Sequence, residues 1–222
     1  RFDCYIILTY TIGSDNLKKK KIIIPILVLS LLAPTWYVNN YSIKLTKQTI
    51  YSEKVGNDIK IAVISDLHGE NLGKKNSKIT GLISEQNPDL IFVLGDMYTQ
   101  NHYEQIDTAV ELSENLSKTA DTYVVTGDHD TDRKYTDKLS SLQNVHLMNY
   151  KKADLILNGT DITIYGIDNV YFSPTFDLHN EFDEPDSNRL NILLAHIPGT
   201  EHFEDFEVDI IFSGDTHGGM IR

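Results

Sequence analysis

The sequence contains little that could bind an anion directly. Only four of its 222 residues are arginine (Arg1, Arg133, Arg189 and Arg222), and the formal net charge is -12 with a pI near 5.0. A protein whose standing partner is a nucleic-acid backbone carries a basic footprint, so this balance argues against that class of partner. If the chain handles phosphate, arginine forks are not its main device, and metal cations are the obvious substitute for positive charge. Cysteine is nearly absent too. Cys4 alone excludes an internal disulfide and any cysteine-based zinc site, and it leaves the redox compartment open.

Long apolar runs are also scarce, with one exception. Lys18 to Lys21 give four successive positive charges, and the stretch Ile22 to Val38 that follows is apolar except for Ser30, Thr35 and two prolines. Its length is at the lower edge of the roughly 17–25 residues that cross a bilayer. Trp36 and Tyr37 fall where an interfacial aromatic belt would lie, and the positive-inside rule would keep the lysines in the cytoplasm and send everything after Val38 outside. The run reads as a single-pass membrane anchor. A cleaved signal peptide, giving a secreted protein, is the competing reading, but no small-x-small cleavage site follows. A buried core helix is disfavoured because four lysines cap one end and nothing amphipathic appears. The expected organisation is an N-terminal segment 1–38 carrying the anchor, a linker and edge strand over 39–58 with Ile43 and Leu45 alternating, and one catalytic domain over 59–222.

From Ile59 onward one pattern repeats: a short run rich in Val and Ile, a Gly/Asp/His cluster, then a polar or helical stretch. The runs are Ile59–Ile64, Leu90–Leu94, Thr122–Val125, Leu190–Ala195 and Asp209–Phe212, as expected of strands buried on both faces. Helices are expected over Lys75–Glu85, Tyr103–Lys118 and Asp132–Leu142. Asp66 and Asp96 lie 30 positions apart, and Asp96 and Asp128 lie 32 apart, about one βαβ unit. Asp154–Ile167 differs, with two β-rich runs around Asn158-Gly159, and predicts a hairpin in a second sheet packed on the first. Asn158-Gly159-Thr160 also matches a glycosylation acceptor formally, but the turn reading is preferred.

Each of the five runs is followed within a few residues by Asp or His: Asp66 and His68; Asp96; Asp128 and His129; His196; Asp215 and His217. An Asp after a strand is commonly a helix cap or turn former, and a lone His is commonly structural. That explanation would have to hold five times at equivalent positions. The carboxyl ends of parallel strands are where ligands bind, so the side chains can converge in one crevice. Of the remaining histidines, His146, His179 and His202 read as surface or packing residues, while His102 is close enough to Asp96 to border a pocket and contact substrate.

The ordered set Ser65-Asp66-Leu67-His68, Gly95-Asp96, Gly127-Asp128-His129-Asp130, His196 and Gly214-Asp215-Thr216-His217-Gly218-Gly219 resembles the motifs of the calcineurin-like metallophosphoesterases, and most closely their small membrane-anchored bacterial phosphodiesterase branch. The resemblance covers Ile59 to the C-terminus. It implies an α/β fold, a four-layer α/β/β/α sandwich of two mixed β-sheets flanked by helices. It also implies two divalent metal ions (Mn, Fe, Zn or Co). Asp66, His68 and His217 would hold the first, Asp96 would bridge both, and Asp128, His196 and Asp215 would hold the second. His129 would face the substrate phosphate. Such a pair of ions can share a bridging hydroxide as in-line nucleophile while clamping phosphoryl oxygens.

Two positions depart from the family, which usually shows Asn where Asp128 stands and His where Asp215 stands. Both replacements keep a metal-binding oxygen, and both add negative charge. They favour a hard ion such as Mn and disfavour dianionic monoesters, so phosphodiesters are the expected substrates, lipid-linked or from the cell wall if the anchor reading holds. The family continues with further strands beyond the last motif, and the chain lacks an initiator Met, so the domain reads as truncated at its C-terminus. A metal-binding or scaffold module that keeps the fold but has little turnover is the alternative function; a protein phosphatase or nuclease is a second.

Overall fold

The computed structural model describes residues 24–26, 28–34, 43–168, 176–199, 203 and 205–217. The chain divides into two units, Arg1–Lys44 and Leu45–Arg222. In the first, residues 24–26 and 28–34 are helical, and Ile26, Leu29, Leu31 and Leu32 are exposed. Among the described residues no helix is long and apolar enough to cross a membrane. The lysine run and the remainder of the expected anchor lie outside the described residues.

The second unit is built on two sheets. The first holds β1 (Ile61–Ile64), β2 (Leu90–Val93), β3 (Thr122–Val124) and β4 (Val145–Leu147), in that order and parallel throughout. Strand side chains alternate between faces, and β2 shows the result. Ile91 and Val93 join the core under the helices, while Leu90, Phe92 and Leu94 join the core between the sheets. Both faces are covered, so every residue of β2 is buried. This is why the run is continuously apolar in sequence.

Three helices cover the first sheet: α1 (Ser77–Gln86), α2 (Ile106–Leu116) and α3 (Arg133–Ser140). They contribute Ile79, then Ile106, Ala109, Leu112 and Leu116, then Tyr135 and Leu139. α3 is capped by Asp132, whose carboxylate accepts the Lys134 N–H at 2.7 Å. The expected helix from Lys75 begins instead at Ser77. Lys75 and Asn76 both have φ 57°, a left-handed conformation that no helix continues, and they form a 3-10 turn with Lys74.

The second sheet orders β5 (Lys151–Leu157), β6 (Thr160–Gly166), β7 (Leu190–Ala195) and β8 (Ile210–Ser213). β5 and β6 form the expected hairpin. Asn158 and Gly159 sit at φ 51° and 82°, the conformation a tight two-residue turn requires. The β6, β7 and β8 pairings are parallel, so this sheet is mixed, whereas the first is purely parallel. Ile162, Ile164, Leu190, Ile192 and Leu194 meet the first sheet. The opposite face of the second sheet, Tyr165, Ile167, Leu193 and Ala195, is covered among the described residues by Leu178, Phe182, Phe203 and Phe206. These come from a 3-10 turn and loops rather than a long helix.

Two further expectations change. β4, which has only three residues, has no counterpart among the expected strands. Of the linker and edge strand expected over 39–58, the described residues 43–58 contain no strand, and Ile43, Leu45, Ile50 and Tyr51 are exposed; residues 39–42 lie outside the described residues.

Phe92 is wholly buried between the sheets, with ring centres 5.4 Å from Phe212 and 6.2 Å from Tyr123. Phe92→Ala is expected to destabilise the domain by about 3–5 kcal/mol in urea unfolding, and Phe92→Leu, which leaves a smaller cavity, by less. Equal midpoints for the two variants would show that the sheet interface is not close-packed there.

Candidate metal centre

The five clusters lie at the C-terminal ends of β1, β2, β3, β7 and β8, and backbone hydrogen bonds tie those ends together. Asp66 N–H donates to Gly95 O at 3.1 Å, His68 N–H to Asp96 O at 2.9 Å and Gly214 N–H to His196 O at 2.8 Å. Between the sheets, the Asp215 N–H donates to Asp66 Oδ1 at 3.1 Å. Asp66, His68, Asp96, Asp215 and His217 all have φ between 48° and 62°. Left-handed backbone is uncommon outside glycine, is best tolerated by Asn, Asp and His, and costs of order 1–3 kcal/mol where it is held in place. Five such residues in one crevice mark a place where the backbone is bent to aim side chains.

Gly127 is required by close approach. A Cβ there would stand 2.2 Å from Asp96 Oδ1 and 2.7 Å from Asp96 N, so any side chain would displace the most central carboxylate.

The aimed side chains fall into overlapping groups whose ligand-type atoms lie within 4.8 Å of one another: Asp66, His68 and His217; His68, Asp96 and His129; Asp66, Asp96 and His196; and Asp128, His196 and Asp215. All seven residues expected to hold metal are therefore brought together. Asp96 links the first side of the cluster to the second. His68 Nε2 is 3.3 Å from His217 Nε2 and 3.6 Å from Asp96 Oδ2, and His217 Nε2 is 3.8 Å from Asp66 Oδ1.

His196 gives the clearest test of whether a cation fits. Its ring is fully buried, and its Nδ1 is 2.7 Å from the Leu94 carbonyl, which can only accept. The neutral ring therefore carries its proton on Nδ1 and presents a lone pair at Nε2. That Nε2 is buried without a hydrogen-bond partner. It faces Asp96 Oδ2 and Asp128 Oδ1, each at 3.5 Å, and Asp215 Oδ1 at 3.9 Å. A lone pair among three carboxylates needs a positive charge at its focus. Nitrogen and oxygen ligands about 2.1 Å from one ion stand roughly 3.0–3.4 Å from each other, close to these separations. The donor set fits a divalent cation.

Without a cation, a proton on the ring supplies that positive charge. Burial pushes the His196 pKa down, but the Asp96 carboxylate and the Leu94 carbonyl outweigh it and bring the pKa to about 9. Burial likewise pushes the Asp96 carboxyl up, and the His196 ring and His129 N–H more than offset it, leaving the group below its ordinary range. Burial lowers the His68 pKa.

His129 borders the cluster. Its N–H donates to Asp96 Oδ1 at 2.9 Å, and its ring meets the His68 ring edge-on at 4.7 Å. His102 does not join the cluster: it is exposed, with Nδ1 2.9 Å from Glu104 Oε1. It caps the 3-10 turn that leads into α2, which turns it toward its own segment. His146 stacks on Tyr123, and His179 lies between Asp177 and Glu184. His202 lies outside the described residues.

Sequence reasoning places Asp130 within a motif but gives it no role. Its buried carboxylate accepts the Met97, Tyr98 and Gly127 N–H groups at 3.0, 3.4 and 3.1 Å, joining the loops that carry Asp96 and Asp128. Burial raises its pKa to about 6 against those hydrogen bonds.

A family model described as calcineurin-like phosphoesterase matches residues 59–219. An uncharacterized metallophosphoesterase of Helicobacter pylori (strain J99) is 26% identical over 188 residues, which cover 80% of this chain and 50% of that protein. One from Campylobacter jejuni is 27% identical over 172 residues, covering 74% and 45%. The crystal structure of TT1561 of Thermus thermophilus superposes with a TM-score of 0.53 at 12% identity, over 70% of this chain and 81% of that one, and shows the same fold. The chain belongs to the calcineurin-like phosphoesterase family. It spans about half the length of the curated relatives it matches.

A cation at the His196 focus would stabilise the folded state by mass action. Adding Mn to metal-stripped protein is expected to raise the melting temperature, and His196→Ala is expected to lose most of that rise. An equal rise in both proteins would show that the ions bind elsewhere.

Proposed function

We propose that the chain is a metal-dependent phosphoester hydrolase that works with two divalent cations. The observation that carries this reading is the buried, unpartnered Nε2 of His196, facing three carboxylates at 3.5–3.9 Å. In this reading Asp66, His68 and His217 hold one cation, Asp128, His196 and Asp215 hold the other, and Asp96 serves both. When bound, such ions supply Lewis-acid charge to phosphoryl oxygens and acidify water for in-line attack.

The protein's own contribution is placement and a hydrogen-bond donor. Asp96 is fixed by the His129 N–H on one oxygen and faces His68 and His196 with the other. His129, anchored by the same bond, presents its ring beside His68, where it can donate a hydrogen bond to a phosphoryl oxygen.

Substrate preference follows from charge. Asp66, Asp96, Asp128 and Asp215 converge, and four ionised carboxylates cancel the whole charge of two divalent ions. The family's usual Asn and His would leave two positive charges over. Relative to that usual site, a dianionic monoester therefore loses more attraction here than a monoanionic diester does, and a carboxylate-rich set favours a hard ion such as Mn. Full-length protein is expected to bind two Mn ions per chain and to hydrolyse bis-p-nitrophenyl phosphate faster than p-nitrophenyl phosphate. Faster monoester cleavage would refute the charge argument. Absence of bound metal would favour the scaffold reading.

We further propose that the Lys18–Lys21 run and the apolar residues after it tether the domain to the extracytoplasmic face of the cell membrane. Phosphodiesters of lipids or the cell wall would then lie within reach, with secretion as the alternative. Expressed full-length chain should stay with membranes after an alkaline carbonate wash. Complete release into the soluble fraction would sink the tether.

A further inference from the structure

His129 is held by main chain rather than by a side chain. The Gln100 N–H points at His129 Nδ1 at 3.0 Å. An amide nitrogen can only donate, so Nδ1 accepts and the neutral ring carries its proton on Nε2. Nε2 has no hydrogen-bond partner among the described residues.

The Thr99–Gln100 strap that supplies this N–H is tied at two points. Thr99 Oγ1 donates to the His68 carbonyl at 3.1 Å, and the Thr99 N–H donates to Gln105 Oε1 at 2.8 Å. Gln105 closes the 3-10 turn Tyr103–Gln105 ahead of α2 and lies in none of the metal-binding motifs. Its carboxamide rests directly on Gly69, the residue after His68: a Cβ at Gly69 would stand 2.2 Å from Gln105 Cδ and Oε1. One uncharged side chain thus joins the end of the β1 loop to the strap that holds His129.

We propose that Gln105 is a positioning residue for the hydrolysis proposed above. By fastening Thr99, it keeps the Gln100 N–H on His129 Nδ1 and so holds His129 as the Nε2–H tautomer, a donor suited to an oxyanion. Without an acceptor at position 105 the Thr99 N–H loses its partner and the strap can shift. His129 is then able to take the opposite tautomer, whose Nε2 lone pair repels a phosphoryl oxygen. The kinetic consequence rests on the hydrolase reading. The tautomer does not.

Two variants separate the roles. Gln105→Met removes the acceptor at nearly constant volume, and Gln105→Glu retains it. Long-range proton–nitrogen spectra of the zinc-loaded full chain are expected to show His129 as Nε2–H in the unaltered protein and in Gln105→Glu, and as a tautomer mixture in Gln105→Met. With Mn and a diester, kcat of Gln105→Met should fall roughly tenfold to hundredfold, with KM and bound metal unchanged. Recovery is expected in Gln105→Glu. Should Gln105→Met fail to fold, Gln105→Ala gives the same comparison without crowding Gly69. Retention of the Nε2–H pattern without the acceptor would overturn the proposal, as would loss of bound metal in step with kcat. An unaltered protein that hydrolyses no phosphoester, alongside the tautomer change in the variant, would overturn the functional reading and leave the tautomer assignment standing.

Discussion

The structure depends on holding like charges together at one edge of two sheets. Asp66 and Asp96 approach within 4.8 Å, as do Asp128 and Asp215. At that distance two ionised carboxylates repel by roughly 3–4 kcal/mol at an effective dielectric near 20. In its neutral form the buried His196 ring adds a lone pair to that cluster. Folded domains are stable by only about 5–15 kcal/mol in total, so this arrangement is sustainable only with positive charge at its centre or protons on its members. The raised pKa of His196, about 9, is the same field acting on a proton.

The rest of the domain serves as the frame for that cluster. The core between the sheets, with Phe92, Leu94, Ile164, Ile192 and Leu194 excluded from solvent, fixes where the strand ends lie. The left-handed turns at Asp66, His68, Asp96, Asp215 and His217 then tip the side chains inward, held by amide bonds between neighbouring loops. Gly127 lets one loop pass against the Asp96 carboxylate, and buried Asp130 ties the same two loops from behind. Local backbone strain and an acidic cluster are both carried by the packed sandwich beneath them.

What is legible in the sequence is whatever has a one-dimensional signature. A strand covered on both faces must be apolar throughout, so the strand runs stand out, and Gly-Asp after a strand records the close approach of two loops. The hairpin is visible because Asn158-Gly159 is the chemistry its turn demands. Three-residue β4 is too short to show a period, with His146 at its middle. The start of α1 is obscured by the left-handed pair Lys75 and Asn76, which local pattern does not reveal. The cover over the outer face of the second sheet, Leu178, Phe182, Phe203 and Phe206, comes from irregular segments with no repeat to read. Nearness in sequence draws His102 to the site, whereas the turn it caps directs it to Glu104. Gln105 is invisible because its importance lies in one carbonyl oxygen meeting one amide, and no composition or spacing records that.

The carboxylate-rich ligand set also shifts what must be asked of the remaining residues. In the proposed two-cation reading, aspartates at 128 and 215 would strengthen the hold on cations and leave less positive charge for the substrate. Among the described residues, Arg189 is engaged with Thr163, the Ile162 carbonyl and Asp154 on the second sheet. In that reading hydrogen-bond donation to a developing oxyanion would fall to neutral groups, and His129 lies beside the cluster with its tautomer fixed by its surroundings. A neutral donor adds no charge of its own, so its value depends wholly on which nitrogen holds the proton and where it points. Charge economy at the ligands and precision at His129 would therefore be linked: the more completely the carboxylates neutralised the cations, the more the proposed chemistry would depend on the Thr99–Gln100 strap staying in place.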